Sequence, residues 1–449
     1  MNSEQCTLAD LAAPIRNAIV GGPFGSNLVS KDYVASGIPV IRGQNMGGKW
    51  VSGEFAFVSV AKASQLSQNL ARPGDLVFTQ RGTLGQVSMV PRGLYEAYLV
   101  SQSQMKITVD PEKADVCFLY YLFKTPAQLK YIFNSAIQTG VPHTNLGILK
   151  ATPIDLPPLS AQREIAAIVG ALDDRIALLR ETNTTLEAIA QTLFKSWFVD
   201  FDPVRAKQQG LPPVGMDDTT AALFPDDFEV SGLGAVPRGW SNIDLAELTN
   251  RFGGSIQTGP FGSQLHAADY VEVGVPVVMP KDIINRRATT TSVARISPVD
   301  ADRLSRHRLR AGDIVFSRRG DVERHALITE REVGWICGTG CLLVRPGDAW
   351  RAPGFLSMLL DSARARTWLV QHAVGATMPN LNTGILGSVP VTLPPMSVLD
   401  AFEDLVSATE EQRSRNASLA ETLTALRDAL LPRLVSGRLR LPQAEALAA

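Results

Sequence analysis

The sequence predicts an α+β fold: two globular α/β domains, related by a pseudo-twofold axis, that are separated by a long antiparallel coiled coil of two helices. Three observations predict this architecture. Two stretches of about 40 residues carry apolar side chains at a seven-residue period. The same short motifs recur 237 residues apart. Between these features lie short strand-like runs bounded by Gly and Pro.

The first long helix is predicted from Pro157 to Asp200. It follows a Pro pair, and Ser160 can cap its first turn. A helix of this length is ~60 Å long at about 1.5 Å per residue, so it needs a partner to bury its apolar seam. One rung of the seam is Ile165, Leu172, Leu179, Leu186 and Leu193, and the other is Val169, Ile176, Asn183, Ala190 and Trp197.

The partner helix is predicted from Pro394 to Arg440, again after a Pro pair. Its seam is weaker in the middle, where Thr409, Gln412 and Asn416 are polar. Alternatively, each helix packs only on its own domain, but the recurrence of motifs outside the helices favours a pair. The predicted seam residues are Phe402, Thr409, Asn416, Leu423 and Leu430, interleaved with Leu405, Leu419 and Leu426.

The segments before the two helices are copies of one another. GPFGSNL at 22–28 returns as GPFGSQL at 259–265. Residues 42–70 and 280–309 share almost nothing, so the two copies differ there. The predicted division is domain 1 at 1–156, the first helix at 157–200, a linker with at most one short helix at 201–238, domain 2 at 239–393, the second helix at 394–440 and a tail at 441–449.

The composition is that of an ordinary globular protein. Of the 449 residues, 45% are hydrophobic and 19% charged, and the formal net charge is −1. No apolar run of 18 residues exists, so we predict neither a signal peptide nor a membrane span. The four cysteines are scattered, which fits free thiols in a reducing cytoplasm.

Motifs for catalysis are missing from the sequence. It has no phosphate-binding loop, no zinc-binding HExxH, no nucleophile elbow and no Asn-Pro-Pro-aromatic tetrapeptide. The five histidines are isolated from one another and from the cysteines. We therefore predict no catalytic residue, no metal site and no cofactor bound by this chain.

Polar side chains that suit DNA follow the predicted strands. Asn, Gln and Arg make bidentate contacts to base edges, and Arg and Lys contact phosphates. A solvated charged surface is the alternative for any one of them. The predicted DNA-binding residues are Arg42, Gln44, Asn45, Gln80, Arg81, Gln102 and Gln104 in the first copy, and Lys281, Arg318, Arg319 and Arg324 in the second.

The GPFGS turn allows two compatible interpretations. In one, it is a tight turn anchored by a buried Phe24 or Phe261. In the other, its backbone N–H groups and a Ser hydroxyl hold a DNA phosphate. The second interpretation adds Gly22, Ser26, Gly259 and Ser263 to the predicted DNA-binding residues.

Together these motifs resemble the specificity (S) subunits of type I restriction–modification enzymes. The resemblance covers nearly the whole chain. It rests on the duplicated GPFGS turn, on RPGDLVFTQRG at 72–82 and RAGDIVFSRRG at 310–320, and on the Pro-Pro start of each helix. LFKSWFVDFDPV at 193–204 and LLPRLVSGRLRL at 430–441 also match the helix ends of that family.

The resemblance implies that each domain reads one half of a split double-stranded DNA target and that the helices set the spacing between the halves. It also implies that the chain is non-catalytic. Two methyltransferase subunits would dock on the helices, and restriction and motor subunits would join them. S-adenosylmethionine, ATP and Mg²⁺ would be bound by those partners. No membrane partner is implied.

Four apolar residues near the helix ends are predicted to dock the methyltransferase subunits. They lie just past seam positions and at matching places in the two copies, so they would face away from the partner helix. Packing onto the adjoining domain is the alternative. They are Phe194, Phe198, Leu431 and Val435.

Three other functions compete with this interpretation. The chain could serve a methyltransferase–nuclease fusion of Type IIB style, which nothing in its sequence distinguishes from Type I. A self-contained methyltransferase or nuclease would need the missing motifs. A scaffold that does not bind DNA would leave the Gln, Asn and Arg residues at the strand ends unexplained.

Overall fold

The computed structural model describes residues 4–138, 142–232, 234–262, 264–289, 293–375 and 377–439. It divides into two compact units, which are residues 1–180 with 418–449 (unit 1) and residues 181–417 (unit 2). Each unit contains one copy of the repeat and parts of both long helices. The predicted fold class is confirmed, since each unit combines mixed sheets with a helix pair. No helix among the described residues is long and apolar enough to cross a membrane.

Unit 1 is built on two sheets, whose strand orders are β2-β10-β7-β8 and β3-β5-β4-β9-β6, and on the strand pair β1-β11. All pairs are antiparallel except β4 with β9. The strands are β1 (Glu4–Thr7), β2 (Ile19–Gly21), β3 (Tyr33–Val34), β4 (Ile38–Ile41), β5 (Ala56–Val58), β6 (Leu70–Ala71), β7 (Leu76–Thr79), β8 (Val87–Met89), β9 (Tyr98–Val100), β10 (Gln104–Ile107) and β11 (Pro153–Leu156). The helices are α1 (Val60–Gln65), α2 (Val116–Leu122), α3 (Pro126–Ser135), α4 (Leu146–Lys150) and the long α5 (Leu159–Phe198), which continues into unit 2.

Unit 2 repeats this topology with the sheets β15-β24-β21-β22 and β16-β20-β17-β23 and the pair β14-β25, and it adds two hairpins, β12-β13 and β18-β19. Its strands are β12 (Phe228–Ser231), β13 (Gly234–Pro237), β14 (Ser241–Asp244), β15 (Ser255–Thr258), β16 (Tyr270–Val271), β17 (Val275–Val278), β18 (Ile283–Ile284), β19 (Arg287–Ala288), β20 (Ala294–Ile296), β21 (Ile314–Ser317), β22 (His325–Leu327), β23 (Ile336–Cys337), β24 (Cys341–Arg345) and β25 (Pro390–Leu393). Its helices are α6 (Asp202–Gln208), α7 (Asp218–Ala222), α8 (Leu245–Arg251), α9 (Pro298–Arg303), α10 (Pro353–Asp361), α11 (Ala363–His372), α12 (Thr383–Gly387) and the long α13 (Met396–Val435), which continues into unit 1.

The two long helices are antiparallel partners in each unit. In unit 1, Ile176 and Leu179 of α5 pack against Ala420 and Leu423 of α13. In unit 2, the Asn416 Nδ2 donates to the Asn183 Oδ1 at 2.9 Å, and the Asn183 Nδ2 donates to the Arg413 carbonyl at 3.0 Å. The polar seam positions therefore satisfy one another, as buried amides must.

Two of the three residues on one rung of the predicted α13 seam are wrong, whereas the third, Leu426, packs against the unit 1 core. Leu405 and Leu419 are 54% and 42% exposed, whereas Val406 and Ala420, one residue further on, are buried. An apolar seam advances by three or four residues at each step, and the spacing alone permitted either choice. The register from Val406 also places Arg413 inward, where it meets buried acidic groups of unit 2.

The four predicted docking residues are parts of the two cores, so their prediction as an exposed surface is wrong. Phe194 and Phe198 are 6% and 9% exposed. The Phe198 ring centroid lies 4.8 Å from Phe355 and 4.9 Å from Phe402. In unit 1, Leu431 is buried and Val435 packs against the same core. Near these helix ends the flanking domain covers the side of the helix next to the seam, so these off-seam side chains are packed rather than exposed.

The predicted linker is more ordered than expected. Instead of at most one short helix, residues 201–238 form α6, α7 and the hairpin β12-β13. Val204 and Phe224 are buried in the unit 2 core with Trp240. Short apolar anchors separated by Pro and Gly have no sustained period, which is why the sequence pattern missed them.

The first strand of domain 1, β1, has a structural counterpart in β14 of domain 2. Strand β1 pairs with β11 in the same way that β14 pairs with β25, from Glu4↔Leu156 and from Ser241↔Leu393. Both strand pairs close their domain immediately before a long helix. The equivalence with β14 therefore identifies β1 as the first strand of domain 1.

The half-buried carboxylate of Glu403, in α13, caps α10 in unit 2. Glu403 accepts hydrogen bonds from the backbone N–H of Gly354 at 2.9 Å and of Phe355 at 3.3 Å. A Cβ on Gly354 would lie 3.0 Å from this carboxylate, so only Gly fits easily. Burial raises the pKa of Glu403 to about 7 against these hydrogen bonds, and the nearby charges of Glu410 and Asp404 add to the rise.

Stability should therefore depend on pH through Glu403. Because its folded pKa is raised, the folded state binds the proton more tightly, and stability present at pH 4.5 is lost as the pH rises to about 7. The shift corresponds to ~3 kcal/mol at 1.36 kcal/mol per pKa unit. We expect Glu403→Gln to abolish this part of the pH dependence of unfolding free energy, measured by urea denaturation between pH 5 and 8. Glu229→Gln, which removes an exposed carboxylate of the same unit that does not act on Glu403, is the control. An unchanged pH slope in Glu403→Gln would contradict this role.

A hairpin turn of domain 2 delivers an arginine to both long helices. Asn285 and Arg286 join β18 to β19 with φ of 49° and 60°, which is the pattern of a type I′ turn. Gly is usual at the second position, and Arg costs ~1 kcal/mol there. The Arg286 Nη2 lies 2.6 Å from Glu187 of α5 and 3.7 Å from Glu410 of α13. Its Nη1 donates to Ser357 Oγ at 3.1 Å.

Two more arginines complete this charge cluster. Arg287 pairs with Glu410 at 2.6 Å, and Arg413 pairs with both Glu187 and Glu410. The cluster thus ties the β18-β19 hairpin to α5 and α13 within unit 2. Unit 1 has a simpler counterpart, in which Lys49 lies 3.2 Å from Asp174 of α5.

We expect Arg286→Ala to lower the unfolding free energy of unit 2 by roughly 2–3 kcal/mol. It removes one partner of a buried ion cluster while Arg287 and Arg413 remain to hold the two glutamates. Chemical denaturation monitored by circular dichroism measures the loss. Arg306→Ala, an exposed arginine of the same domain, should stay within about 0.5 kcal/mol. Equal effects of the two substitutions would contradict the cluster's role.

Candidate DNA interface

Four loops of domain 1 converge on the segment 101–104. The backbone N–H of Gly22 donates to the Gln104 carbonyl at 2.9 Å, and that of Gln80 donates to Ser103 at 2.7 Å. The Ser101 N–H reaches the Ile41 carbonyl at 3.0 Å. Residues 137–145 join them through the Thr144 N–H, which donates to the Gln80 carbonyl at 2.9 Å. We name the described residues of 22–28, 42–53, 79–86, 101–104 and 137–145 loop cluster 1.

Domain 2 builds the same arrangement around 338–341. Gly259 donates to Cys341 at 2.9 Å, Arg318 to Gly340 at 2.8 Å, and Gly338 to Val278 at 2.9 Å. The described residues of 259–265, 279–289, 317–324, 338–341 and 374–382 form loop cluster 2. The backbone scaffold is therefore shared, and the side chains that it presents differ.

The GPFGS turn is closed by sterics and backbone hydrogen bonds. A Cβ on Gly22 would lie 1.8 Å from the Ser101 carbonyl oxygen, and one on Gly259 would lie 2.1 Å from that of Gly338. The N–H groups of both glycines are bonded within the fold. They cannot also hold a phosphate, so the predicted role of Gly22 and Gly259 in DNA binding is wrong. Ser26 is exposed, and Ser263 lies outside the described residues.

Phe24 and Phe261 do not anchor this turn. They are 72% and 57% exposed, contrary to the expected burial. The turn is instead held in unit 1 by Gln102, whose Nε2 donates to the carbonyls of Gly25 at 2.8 Å and Leu28 at 2.9 Å. Gln102 is thus exposed, but its amide is engaged.

Among the other predicted residues of loop cluster 1, Arg81 is the most available. It is exposed, and its guanidinium has no hydrogen bond or ion pair among the described residues. Gln44 is exposed and donates to the Glu54 carbonyl at 3.3 Å. Gln80 and Arg42 are half-buried.

Arg42 lies close enough to Tyr33 of β3 to affect its ionisation. Burial raises the pKa of Tyr33, and the positive charge of Arg42 opposes that rise.

Two predicted base-reading residues are internal, so their prediction as DNA contacts is wrong. The Asn45 side chain accepts from the Arg42 N–H and donates to the carbonyls of Ser52 and Glu54. Gln104 is fully buried and accepts from the Ser101 hydroxyl. Both amides form hydrogen bonds inside the domain that hold the loops in place. Residue type alone does not distinguish this role from base recognition.

In loop cluster 2, Arg319 occupies the place of Arg81. It is exposed, and no described residue bonds its guanidinium. Arg318 is half-buried, and its Nε donates to the Leu381 carbonyl at 3.2 Å. Lys281 is exposed beside Asp282 at 3.1 Å, and Arg324 pairs with Asp321 at 2.5 Å.

Residues 303–324 of domain 2 contain several arginines, but ion pairs make this stretch less cationic than its sequence suggests. Besides Arg324, three of its arginines are paired with acidic groups: Arg303 with Asp300, Arg308 with Asp302 and Arg310 with Asp348.

Each copy also contains a loop that the sequence pattern did not predict. Residues His143 and Asn380 form isolated antiparallel bridges with Arg81 and Arg319, respectively. The repeated Pro142 and Pro379, at the same offset as the other motifs, could have indicated it. Each loop thus supports the backbone of the most available arginine of its cluster.

No group of three or more His, Cys, Asp or Glu side chains in the described part of the chain could hold a metal ion. The loop clusters offer exposed cations, amides and an aromatic ring. This chemistry suits nucleic acid.

Comparisons with known proteins agree with this chemistry. Residues 28–188 match the family model of the type I restriction modification DNA specificity domain. The chain is 27% identical over 443 residues to the HindI type I restriction enzyme specificity subunit of Haemophilus influenzae, covering 87% of this chain and 93% of that protein. It is 22% identical over 429 residues to the MjaIX specificity subunit of Methanocaldococcus jannaschii, covering 95% and 92%.

A solved structure shows the same fold. The S subunit of a type I restriction–modification system from M. genitalium matches with a TM-score of 0.59 at 16% identity, over 97% of this chain and 96% of that one. The sequence comparisons confirm the resemblance to specificity subunits, and the structural one confirms the fold class.

We expect Arg81→Ala and Arg319→Ala each to weaken DNA binding by ~1–3 kcal/mol, because both are exposed cations without a described acidic partner. Arg324→Ala is the matched control, since Asp321 already neutralises that arginine. Titrations at several salt concentrations separate two kinds of contact. A phosphate contact lowers the salt slope by about 1 on every sequence, and a base contact costs affinity on the target alone. Equal losses in all three variants would contradict the assignment.

Proposed function

From the kinship of this chain with type I restriction enzyme specificity subunits, we propose that it is the DNA-recognition subunit of a type I restriction–modification complex. The observation that carries the proposal is the match of residues 28–188 to a DNA specificity domain, in a chain whose second half repeats the same loop scaffold.

Each loop cluster reads its own half of a bipartite double-stranded target. Equivalent backbone positions carry Gln80 and Arg81 in one cluster and Arg318 and Arg319 in the other. Gln and Arg favour different base edges, adenine and guanine respectively. The two half-sites should therefore differ in sequence.

The chain itself performs no chemistry in this proposal. Methyltransferase subunits, two per chain, bind S-adenosylmethionine, and restriction and motor subunits bind ATP and Mg²⁺. The missing catalytic motifs support this division of labour. The complex acts on DNA in the cytoplasm. Docking requires surfaces other than Phe194, Phe198, Leu431 and Val435, which are committed to the cores.

The paired helices α5 and α13 set the distance between the half-sites. Helix length is a rigid quantity of about 1.5 Å per residue, so the number of residues in each helix fixes a spacing in base pairs. The antiparallel pairing seen within each unit supports this role.

The test is methylation mapping with the chain assembled with its methyltransferase partner. Replacing residues 239–393 by the matching segment of another such subunit should change one half-site and leave the other. Inserting one heptad after Asn183 and one after Arg415 should lengthen the spacer by two to four base pairs, since about 10 Å corresponds to three base pairs at ~3.4 Å each.

A change of both half-sites by the domain exchange would refute independent reading. An unchanged spacer with retained activity would refute the spacing role of the helices. Methyl transfer by the purified chain alone would refute the non-catalytic role.

A further inference from the structure

We propose that Phe24 and Phe261 are DNA-contacting residues, each placing its phenyl ring against the nucleobases of one half-site. The inference rests on the proposed function. It assigns a non-polar, aromatic contact to an interface whose other available groups are cations and amides.

The first observation is that both rings are exposed at the same place in two diverged copies. Phe24 is 72% exposed and Phe261 57% exposed. Residues 42–70 and 280–309 have lost nearly all similarity, yet the pentapeptide Gly-Pro-Phe-Gly-Ser stands unchanged in both copies. An exposed phenyl ring forgoes the stabilisation that burial would supply, so its retention in both copies needs a reason outside the folded chain.

The second observation is that the turn does not use the ring. The Asn27 N–H donates to the Phe24 carbonyl at 3.2 Å, and the Gln264 N–H donates to that of Phe261 at 2.8 Å. The Phe261 N–H is satisfied by the Gln264 Oε1 at 3.1 Å. Backbone and amide groups therefore close the turn, and the phenyl side chain is left over.

The third observation is that the backbone carrying each ring is held firmly within its loop cluster. Pro23 and Pro260, which precede the two rings, are buried. On the same turn, Gly22 packs so closely on Ser101 that no Cβ fits. Because the backbone beneath the ring is already fixed, binding has only the side chain itself left to order.

These features select nucleobases as the ligand. A phenyl ring cannot donate a hydrogen bond to phosphate, whereas the major groove of a duplex offers it the thymine methyl group, an apolar contact that Phe can make. Apolar side chains also enter between base steps where a protein bends DNA. Arg81 and Arg319, the exposed cations of the same two loop clusters, would hold the duplex against the ring through contacts to its phosphates or base edges.

The test measures DNA affinity of the full-length chain, assembled with its methyltransferase partner, on a duplex carrying its mapped target. We expect Phe24→Ala and Phe261→Ala each to weaken binding by about fivefold to about a hundredfold, as the loss of one good base contact in a duplex implies. The salt slope should not change, because no ion pair is lost. Phe24→Trp and Phe261→Trp, which keep an aromatic face, should restore binding.

Leu94→Ala and Val230→Ala are the matched controls. They shorten apolar side chains that are 65% and 95% exposed and lie outside the two loop clusters, and they should leave affinity unchanged. Thermal unfolding of each Phe variant should match that of the parent chain. A lowered midpoint in the Ala variants would assign the rings to folding and overturn the proposal.

Two further results would overturn it. Unchanged DNA affinity in both Ala variants would exclude the contact. Loss of partner assembly, seen by size-exclusion chromatography without DNA, would assign the rings to a protein interface. Failure of the proposed function is read separately, from the parent chain, which would then bind its mapped target no better than random duplex.

Discussion

A single helix of 40 residues cannot cover its own apolar face, and both units of this protein are organised around that constraint. In unit 2, Phe402 of α13 contacts Phe198 of α5, and both belong to the cluster that also contains Val391 and Leu393 of β25. In unit 1, the end of α13 joins a core with residues of α5 and β10. Each domain and its part of the helix pair are therefore one hydrophobic body.

Ion pairs add a constraint on orientation to this apolar packing. Apolar contacts tolerate small rotations, but the Arg286 guanidinium satisfies Glu187, Glu410 and Ser357 in one geometry only. The positive φ of Arg286 indicates that the backbone accepts strain to deliver the charge. Buried ion clusters are better suited to fixing an arrangement than to adding stability. An orientation fixed in this way is what a reading surface requires.

The repeat and the helical period predicted the architecture because both are properties of the chain that hold in any environment. Predictions failed where a role depends on which partner a side chain meets. Spacing permitted Leu405 or Val406 on the seam, and packing in the folded chain decided. Asn45 and Gln44 share the same amide chemistry, yet Asn45 is buried and bonded to Ser52 and Glu54, whereas Gln44 is exposed. The exposure of Phe24 follows from backbone bonds that no residue pattern encodes.

The closing strand pairs of the two domains have a consequence for how such a protein can vary. Because β1 lies beside β11 and β14 beside β25, the chain enters and leaves each domain at neighbouring points, about 5 Å apart across a strand pair. Each domain is thus a chain segment whose first and last strands lie side by side. Two genetic crossovers, one in each strand of a pair, would exchange an entire domain and leave every helical residue in register. A large change of sequence can therefore occur in one exchange, without passing through intermediate sequences that fail to fold.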